Sequence, residues 1–358
     1  MQGIAAFTDH DAPRFVEAPQ PRAIGREELL CRTLELGVCG TDREILHSRR
    51  PLTPEGEDFL ILGHECLARV EQVGSDVAGL AEGDLVVPAV RRARPEAPRE
   101  TRVDLLNFQH YTERGIVHEH GFSTPLWIDR PEHLYRVAPE LAPWAVLAEP
   151  FSVAEKGINE AITIQHARLQ THAWTPRVLV TGMGPIGFAA LAASVCRGWP
   201  TTLYGRDEKH TFRAQLVAAL GGTYLPAEEA HFEDQDPNVY GYDLILECTG
   251  SDEVLVYAAR ALAARGVMAW LGSSRVPRPR ELNVAQVMRD AVVRNHVHIG
   301  CVNAAPRDFR DALSHLDQLR RQRPDALSAL ITARVPPEEA LEHYTQRQPQ
   351  GIKTVVVM

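Results

Sequence analysis

The chain changes its hydrophobic rhythm near its middle. Up to about Leu147, apolar and polar residues alternate in short runs broken by turn residues, at 28–36 (ELLCRTLEL), 66–73 (CLARVEQV) and 81–88 (AEGDLVVP). A period of two places successive side chains on opposite faces of a strand, so this part predicts an irregular, mostly β domain. Farther on the strands become almost wholly apolar: RVLVT at 177–181, TTLY at 201–204, YDLILECTG at 242–250, GVMAWLG at 266–272 and HVHIGCVN at 296–303. Helical segments separate them: FAALAASVCR, a helix to Leu220 stopped by Gly221 and Gly222, and a helix over 253–264. Apolar strands alternating with helices build a parallel sheet covered on both faces. After Pro306 the pattern predicts a helix, a strand at 331–335, a helix at 337–344 and a terminal strand in GIKTVVVM. The expected fold class is α/β, a doubly wound parallel sheet joined to a mostly β domain.

Composition narrows the partners. A chain of 358 residues exceeds one usual core, so two domains are expected. Its net charge of -9 argues against a nucleic-acid partner. The N-terminus, MQGIAAFTDHDAP, shows no secretory pattern, and no apolar run is long enough to span a bilayer, so no membrane partner is expected. Six cysteines scattered without a CxxC fit a reducing compartment, and a cytoplasmic location is expected. The polar, basic, proline-bearing stretch 91–109, RRARPEAPRETRVDLLNFQ, predicts a surface lobe or loop.

Candidate chemistry begins with GVCGTD at 37–42 and GHE at 63–65. Alone, Cys39 reads as a small hydrophobe and His64 as a core imidazole. Together, a thiol, an imidazole and a carboxylate from separated positions suit a catalytic zinc, which takes three protein ligands and keeps one position open. Both segments resemble the zinc-containing medium-chain dehydrogenase/reductase superfamily. That resemblance implies that Cys39 and His64 hold the metal with Glu65 beside it, and that the first domain is GroES-like. TERGI at 112–116 followed by HGF at 120–122 resembles the glucose (aldose) 1-dehydrogenase branch, which implies that Glu113 faces a sugar. In AEPFSV at 148–153, Glu149 matches the third zinc ligand of that branch, and Asn303 matches an Asn near both sugar and cofactor. The substrate set so implied is Thr41, Glu113, Glu149 and Asn303. Thr41 is placed to pass a proton toward Glu65 or Glu44. Many superfamily members carry a second, structural zinc on clustered cysteines; no cysteine lies between Cys66 and Cys196, so that metal is expected to be absent. Ala89 stands where relatives often have a polar side chain, which loosens the assignment to glucose itself. A homodimer or homotetramer is implied by the resemblance.

The dinucleotide signal is Gly182-Met-Gly184-Pro185-Ile186-Gly187, after an apolar strand and opening a helix. Its glycines suit a tight turn, close approach of a pyrophosphate and close helix packing, the features of a Rossmann fingerprint. At the end of the next strand, LYGRDEKHTFR, an NAD enzyme usually shows an acid; here Gly205 and Arg206 come first, leaving room and charge for a 2′-phosphate. NADP is therefore expected to be preferred, with Asp207 keeping NAD in use. Thr249, Gly250, Leu271 and Cys301 fall at strand ends, where a nicotinamide is contacted. The expected division is a catalytic domain at 1–153 and 302–358, and a Rossmann domain at 154–301. The expected activity is a zinc-dependent aldose 1-dehydrogenase making a lactone. The alternatives are a polyol, amino-sugar or L-threonine-type alcohol dehydrogenase, or a non-catalytic NADP-binding protein.

Overall fold

Alternating residues in the first part form short strands, and the apolar runs that follow form a parallel sheet. The computed structural model describes residues 2–232, 234, 236–273 and 283–358. The chain opens with β1 (Gln2–Phe7), β2 (Arg14–Glu17), β3 (Leu29–Val38), α1 (Gly40–Ser48), β4 (Phe59–Ile61), β5 (Glu65–Val73) and β6 (Leu85–Pro88). Next come β7 (Arg91–Ala93), β8 (Tyr111–Arg114), β9 (His118–Glu119), β10 (Leu126–Asp129) and β11 (Leu134–Val137). A 3-10 segment, Pro139–Leu147, leads into α2 (Ala148–Leu169). There follow β12 (Val178–Thr181), α3 (Pro185–Cys196), β13 (Thr201–Gly205), α4 (Phe212–Ala219), β14 (Thr223–Pro226), α5 (Pro237–Tyr240), β15 (Tyr242–Glu247), α6 (Asp252–Ala259), β16 (Leu262–Trp270), α7 (Val284–Arg294) and β17 (Val297–Gly300). The chain ends with α8 (Pro306–Gln322), α9 (Pro324–Ser328), β18 (Ile331–Val335), α10 (Pro337–Thr345) and β19 (Lys353–Val357).

Two compact units result. One comprises Met1–Glu149, Asn303–Asp317 and Leu330–Met358; the other comprises Pro150–Val302 and Gln318–Ala329. In the first, a seven-stranded sheet runs β11-β6-β5-β3-β19-β18, with β10 also pairing β3. Smaller sheets, β2-β1-β4 and β7-β8-β9, are interleaved with it along the chain. Leu29, Cys31, Leu36 and Val38 of β3 enter a core with Val70, Val86, Phe122 and Trp127. In the second unit, six parallel strands run β14-β13-β12-β15-β16-β17, the doubly wound order in which direction reverses beside the first strand. Leu179, Val180, Leu244, Ile245, Val267 and Met268 are fully buried there, as strands covered on both faces require.

Two expectations need correction, and two elements went unannounced. The stretch after Gly37, where the sequence pattern announced no helix, forms one: Cys39 caps α1, and Asp42 accepts from the Cys39 N–H at 2.9 Å. The stretch from Arg91 is not simply a surface lobe, because Arg91 and Arg92 lie in β7 and are 3% and 8% exposed. Pairing to Glu113 and Asp129 makes that burial tolerable. The helix expected to reach Ala264 ends at Ala259; Leu262 pairs with Tyr242, and Arg265 adopts φ 65° within a strand whose register shifts. Sheet pairing there overrides the helical propensity of an alanine-rich run. Finally, β14, unannounced by any apolar run, forms an edge with mostly half-exposed residues.

Candidate functional site

The metal-type donors meet because two antiparallel strands end together. Gly37 of β3 sits opposite Glu65 of β5, so Cys39, just past β3, and His64, just before β5, are brought to one place. Donor atoms of Cys39, His64 and Glu65 lie within 4.8 Å of one another. The crossing demands a glycine: a Cβ on Gly37 would stand 2.0 Å from Glu65 Oε2. His64 is 2% exposed and its Nδ1 faces Asp42 Oδ1 at 3.5 Å. A carboxylate behind a ring nitrogen orients a ligating imidazole and raises its basicity. Burial opposes charge on His64, yet the Asp42 carboxylate and the Cys39 sulfur hold its imidazolium well above the usual range. The negative charge gathered there suits a divalent cation, and sulfur, nitrogen and oxygen donors suit zinc.

Glu65 is not a solvated acid. Lys353, fully buried on β19, donates to Glu65 Oε1 and Oε2 at 2.6 and 2.5 Å and to Val38 O at 3.2 Å. The β19–β3 register, Thr354 opposite Val38, delivers that ammonium. Burial would lower Lys353, but the Glu65 carboxylate pushes it above the usual range. Glu149 stands at the second position of α2, half-buried. Burial raises its carboxyl to about 7; Glu65 and Glu113 add to the rise, while His64 and Lys353 oppose it. Glu149 therefore shares one electrostatic field with the cluster and with Glu113. Thr41 is half-buried on α1, and Asn303, at φ 62°, donates from Nδ2 to Glu113 Oε1 at 3.0 Å.

The dinucleotide signal lies at the end of β12, the strand beside which direction reverses. Gly182 adopts φ 96°, and a Cβ on Gly187 would stand 2.0 Å from Gly182 O. Gly184 caps α3, Pro185 fills its first position, and Ile186 follows. A Cβ on Gly205, the last residue of β13, would meet Met183 Sδ at 2.3 Å. Arg206 is exposed, whereas both Asp207 oxygens are taken by Arg213 at 2.9 and 2.7 Å. That pairing explains how an acid at this position can leave a phosphate acceptable. Thr249 and Gly250 are held by Glu247, fully buried at the end of β15. Its Oε1 accepts from Thr181 Oγ1 at 3.1 Å, Thr249 N at 2.8 Å and Thr249 Oγ1; its Oε2 accepts from Gly250 N at 3.2 Å. Leu271 is half-buried, and Cys301 is buried.

Four supporting residues escaped the sequence analysis: Asp42, Lys353, Arg91 and Glu247. Only Asp42 carried a local signal, an acid three residues past a helix cap. The others act through strand register.

Against known families, residues 142–358 match the model described as glucose dehydrogenase C-terminus, and 25–122 match the alcohol dehydrogenase GroES-like domain. Among relatives, glucose 1-dehydrogenase 1 of Caldivirga maquilingensis is 36% identical, with 96% of this chain and 94% of that protein aligned. Glucose 1-dehydrogenase of Thermoproteus tenax is 37% identical over 92% of each. Among solved structures, Haloferax mediterranei glucose dehydrogenase in complex with NADP, Zn and gluconolactone superposes with a TM-score of 0.87. It is 30% identical, over 100% of this chain and 99% of that one. Galactitol-1-phosphate dehydrogenase of Escherichia coli, 17% identical with a TM-score of 0.82 over 100% of each chain, shares the fold.

Proposed function

This chain belongs to the glucose dehydrogenase family of zinc-type alcohol dehydrogenases, and from that premise we propose that it oxidises the C1 hydroxyl of an aldose, D-glucose foremost, to the 1,5-lactone. NADP is the preferred acceptor and NAD a lesser one. The observation that carries this assignment is the Cys39–His64–Glu65 cluster, its imidazole and carboxylate buried and its thiol half-buried, in one electrostatic field with Glu149 and Glu113. We assign metal and sugar to 1–153 with 302–358, and the dinucleotide to 154–301.

Cys39, His64 and Glu149 would hold zinc, with no structural zinc elsewhere. When bound, zinc supplies Lewis acidity to a hydroxyl and the nicotinamide supplies a hydride acceptor. Glu65, neutralised by Lys353, stands beside the ligands without adding a free charge. Thr41 takes the hydroxyl proton and passes it toward Glu44 on the same helix. Glu113 and Asn303 accept and donate to the remaining sugar hydroxyls. Gly182, Gly184, Pro185, Ile186 and Gly187 would cradle the pyrophosphate, Gly205 and Arg206 the 2′-phosphate, and Thr249, Gly250, Leu271, Cys301 and Asn303 the nicotinamide end.

We further propose a homo-oligomer, a dimer or a tetramer, working in the cytoplasm. Edge strand β17 and the exposed Met288, Val292 and Val293 of α7 support the association, and six free thiols support a reducing compartment. No described helix is long and apolar enough to cross a membrane.

Ala89 gives a second assignment its footing, a polyol, amino-sugar or L-threonine-type alcohol dehydrogenase. Glucose, galactose, xylose, sorbitol and L-threonine assayed with the zinc-loaded protein separate the two. An aldose is expected to turn over fastest, with kcat/KM higher for NADP than for NAD. Rates confined to open-chain alcohols would overturn the aldose assignment, and a higher kcat/KM for NAD the cofactor preference.

A further inference from the structure

The Glu113 side chain is arranged asymmetrically. Its Oε1 accepts from Arg91 Nε at 3.0 Å, Arg91 Nη2 at 2.9 Å and Asn303 Nδ2 at 3.0 Å. Its Oε2 takes no hydrogen bond from any described residue, and it is not among the solvent-excluded polar atoms lacking a partner. One oxygen is saturated, and the other is held open.

Arg91 is built into place for this. It sits directly across from Glu113 in the β7–β8 register. Its guanidinium carbon lies 3.8 Å from the centre of the Tyr111 ring, and Nη1 donates to Asp104 O at 3.1 Å. The Arg91 side chain is 2% exposed and that of Glu113 is 9% exposed. Asn303 is itself fixed, because its Oδ1 accepts from the Ala304 N–H at 2.8 Å. A buried guanidinium stacked on a ring and tied on both flanks has little freedom, so the carboxylate it grips has little either.

We propose that Arg91 is a positioning residue for sugar specificity: it pins the Glu113 side chain and turns Oε2 alone toward a vicinal pair of substrate hydroxyls. This role rests on the aldose assignment. Arg92, the next residue, points the other way to Asp129 and is therefore a matched control.

The test compares Arg91→Lys, Glu113→Gln, the double variant and Arg92→Lys, each zinc-loaded. KM and kcat are measured for D-glucose and for its 2-deoxy and 3-deoxy analogues. Arg91→Lys is expected to raise the glucose KM about 10- to 100-fold, the size of one hydrogen bond to a charged group, with kcat changed little. Its preference for glucose over the deoxy sugars should shrink by a similar factor. Adding Arg91→Lys to Glu113→Gln should raise KM little further, since Arg91 acts through Glu113. Arg92→Lys should lower thermal stability and leave KM alone. If Arg91→Lys folds poorly, Tyr111→Leu removes only the ring beneath the guanidinium and should raise KM severalfold in the same pattern. Unchanged KM and deoxy discrimination, or an equal KM rise in the Glu113→Gln background, would overturn the proposal alone. Absence of aldose turnover by the unaltered protein would overturn the aldose assignment and this role with it.

Discussion

At the scale of single residues, what distinguishes the site is how its charges are answered. Glu65 by Lys353, Glu113 by Arg91 and His64 by Asp42 are buried partners, and removing one member of such a pair leaves an uncompensated charge. Asp42→Asn should keep a polar group facing His64 Nδ1 while removing its charge, and zinc affinity should fall about 10- to 100-fold. Competition with a chromophoric chelator measures this; an affinity equal to the unaltered protein's would show that Asp42 matters only as a cap for α1. Cys39, His64 and Glu113 were legible because each sits in a short motif. Lys353 was not, since GIKTVVVM reads as an ordinary strand whose lysine has no local reason to be buried.

At the scale of elements, register does what composition cannot. The antiparallel pairing of Gly37 with Glu65 sets the distance between Cys39 and His64, and a shift by one residue would turn their neighbours to the opposite face. Near β11, the turn residue His133 bonds through its carbonyl to the Ala89 N–H at 2.8 Å. Burial, helped by the Arg92 charge, depresses the His133 imidazole to about 4. Because the unfolded chain binds that proton near pH 6.5 and the folded one does not, stability is full above that pH and is lost as pH falls toward 4. His133→Asn should therefore lose about 1–3 kcal/mol less than the unaltered protein between pH 7 and pH 4 in denaturant titrations. Parallel pH curves would refute this. The same lesson explains β16: the run ALAA is helical by propensity, but pairing with β15 draws it into the sheet.

At the scale of the whole molecule, one unit is built on an antiparallel-dominated sheet that the chain leaves and later rejoins through β18 and β19, and the other on a parallel sheet that ends, among the described residues, at the edge strand β17. That edge, β17, follows a helix whose Met288, Val292 and Val293 are 61%, 74% and 66% exposed. On the proposed homo-oligomer, Val292→Asp with Val293→Asp should shift the mass toward monomer in light scattering behind gel filtration, with the fold intact by circular dichroism. An unchanged mass would remove α7 from the interface.

The sequence alone determined the α/β class, the placement of nearly every strand in the parallel sheet, the dinucleotide signal and the thiol-imidazole pair. These depend on periodicity and on glycine geometry, which are local properties of the chain. Tertiary structure decided that Lys353 lies against Glu65, that Arg91 and Asn303 converge on one oxygen of Glu113, and that Asp207 is occupied by Arg213. The physical reason is that strand pairing is made by backbone hydrogen bonds common to nearly all residues. Which side chains it brings together therefore depends on register between segments far apart in the chain.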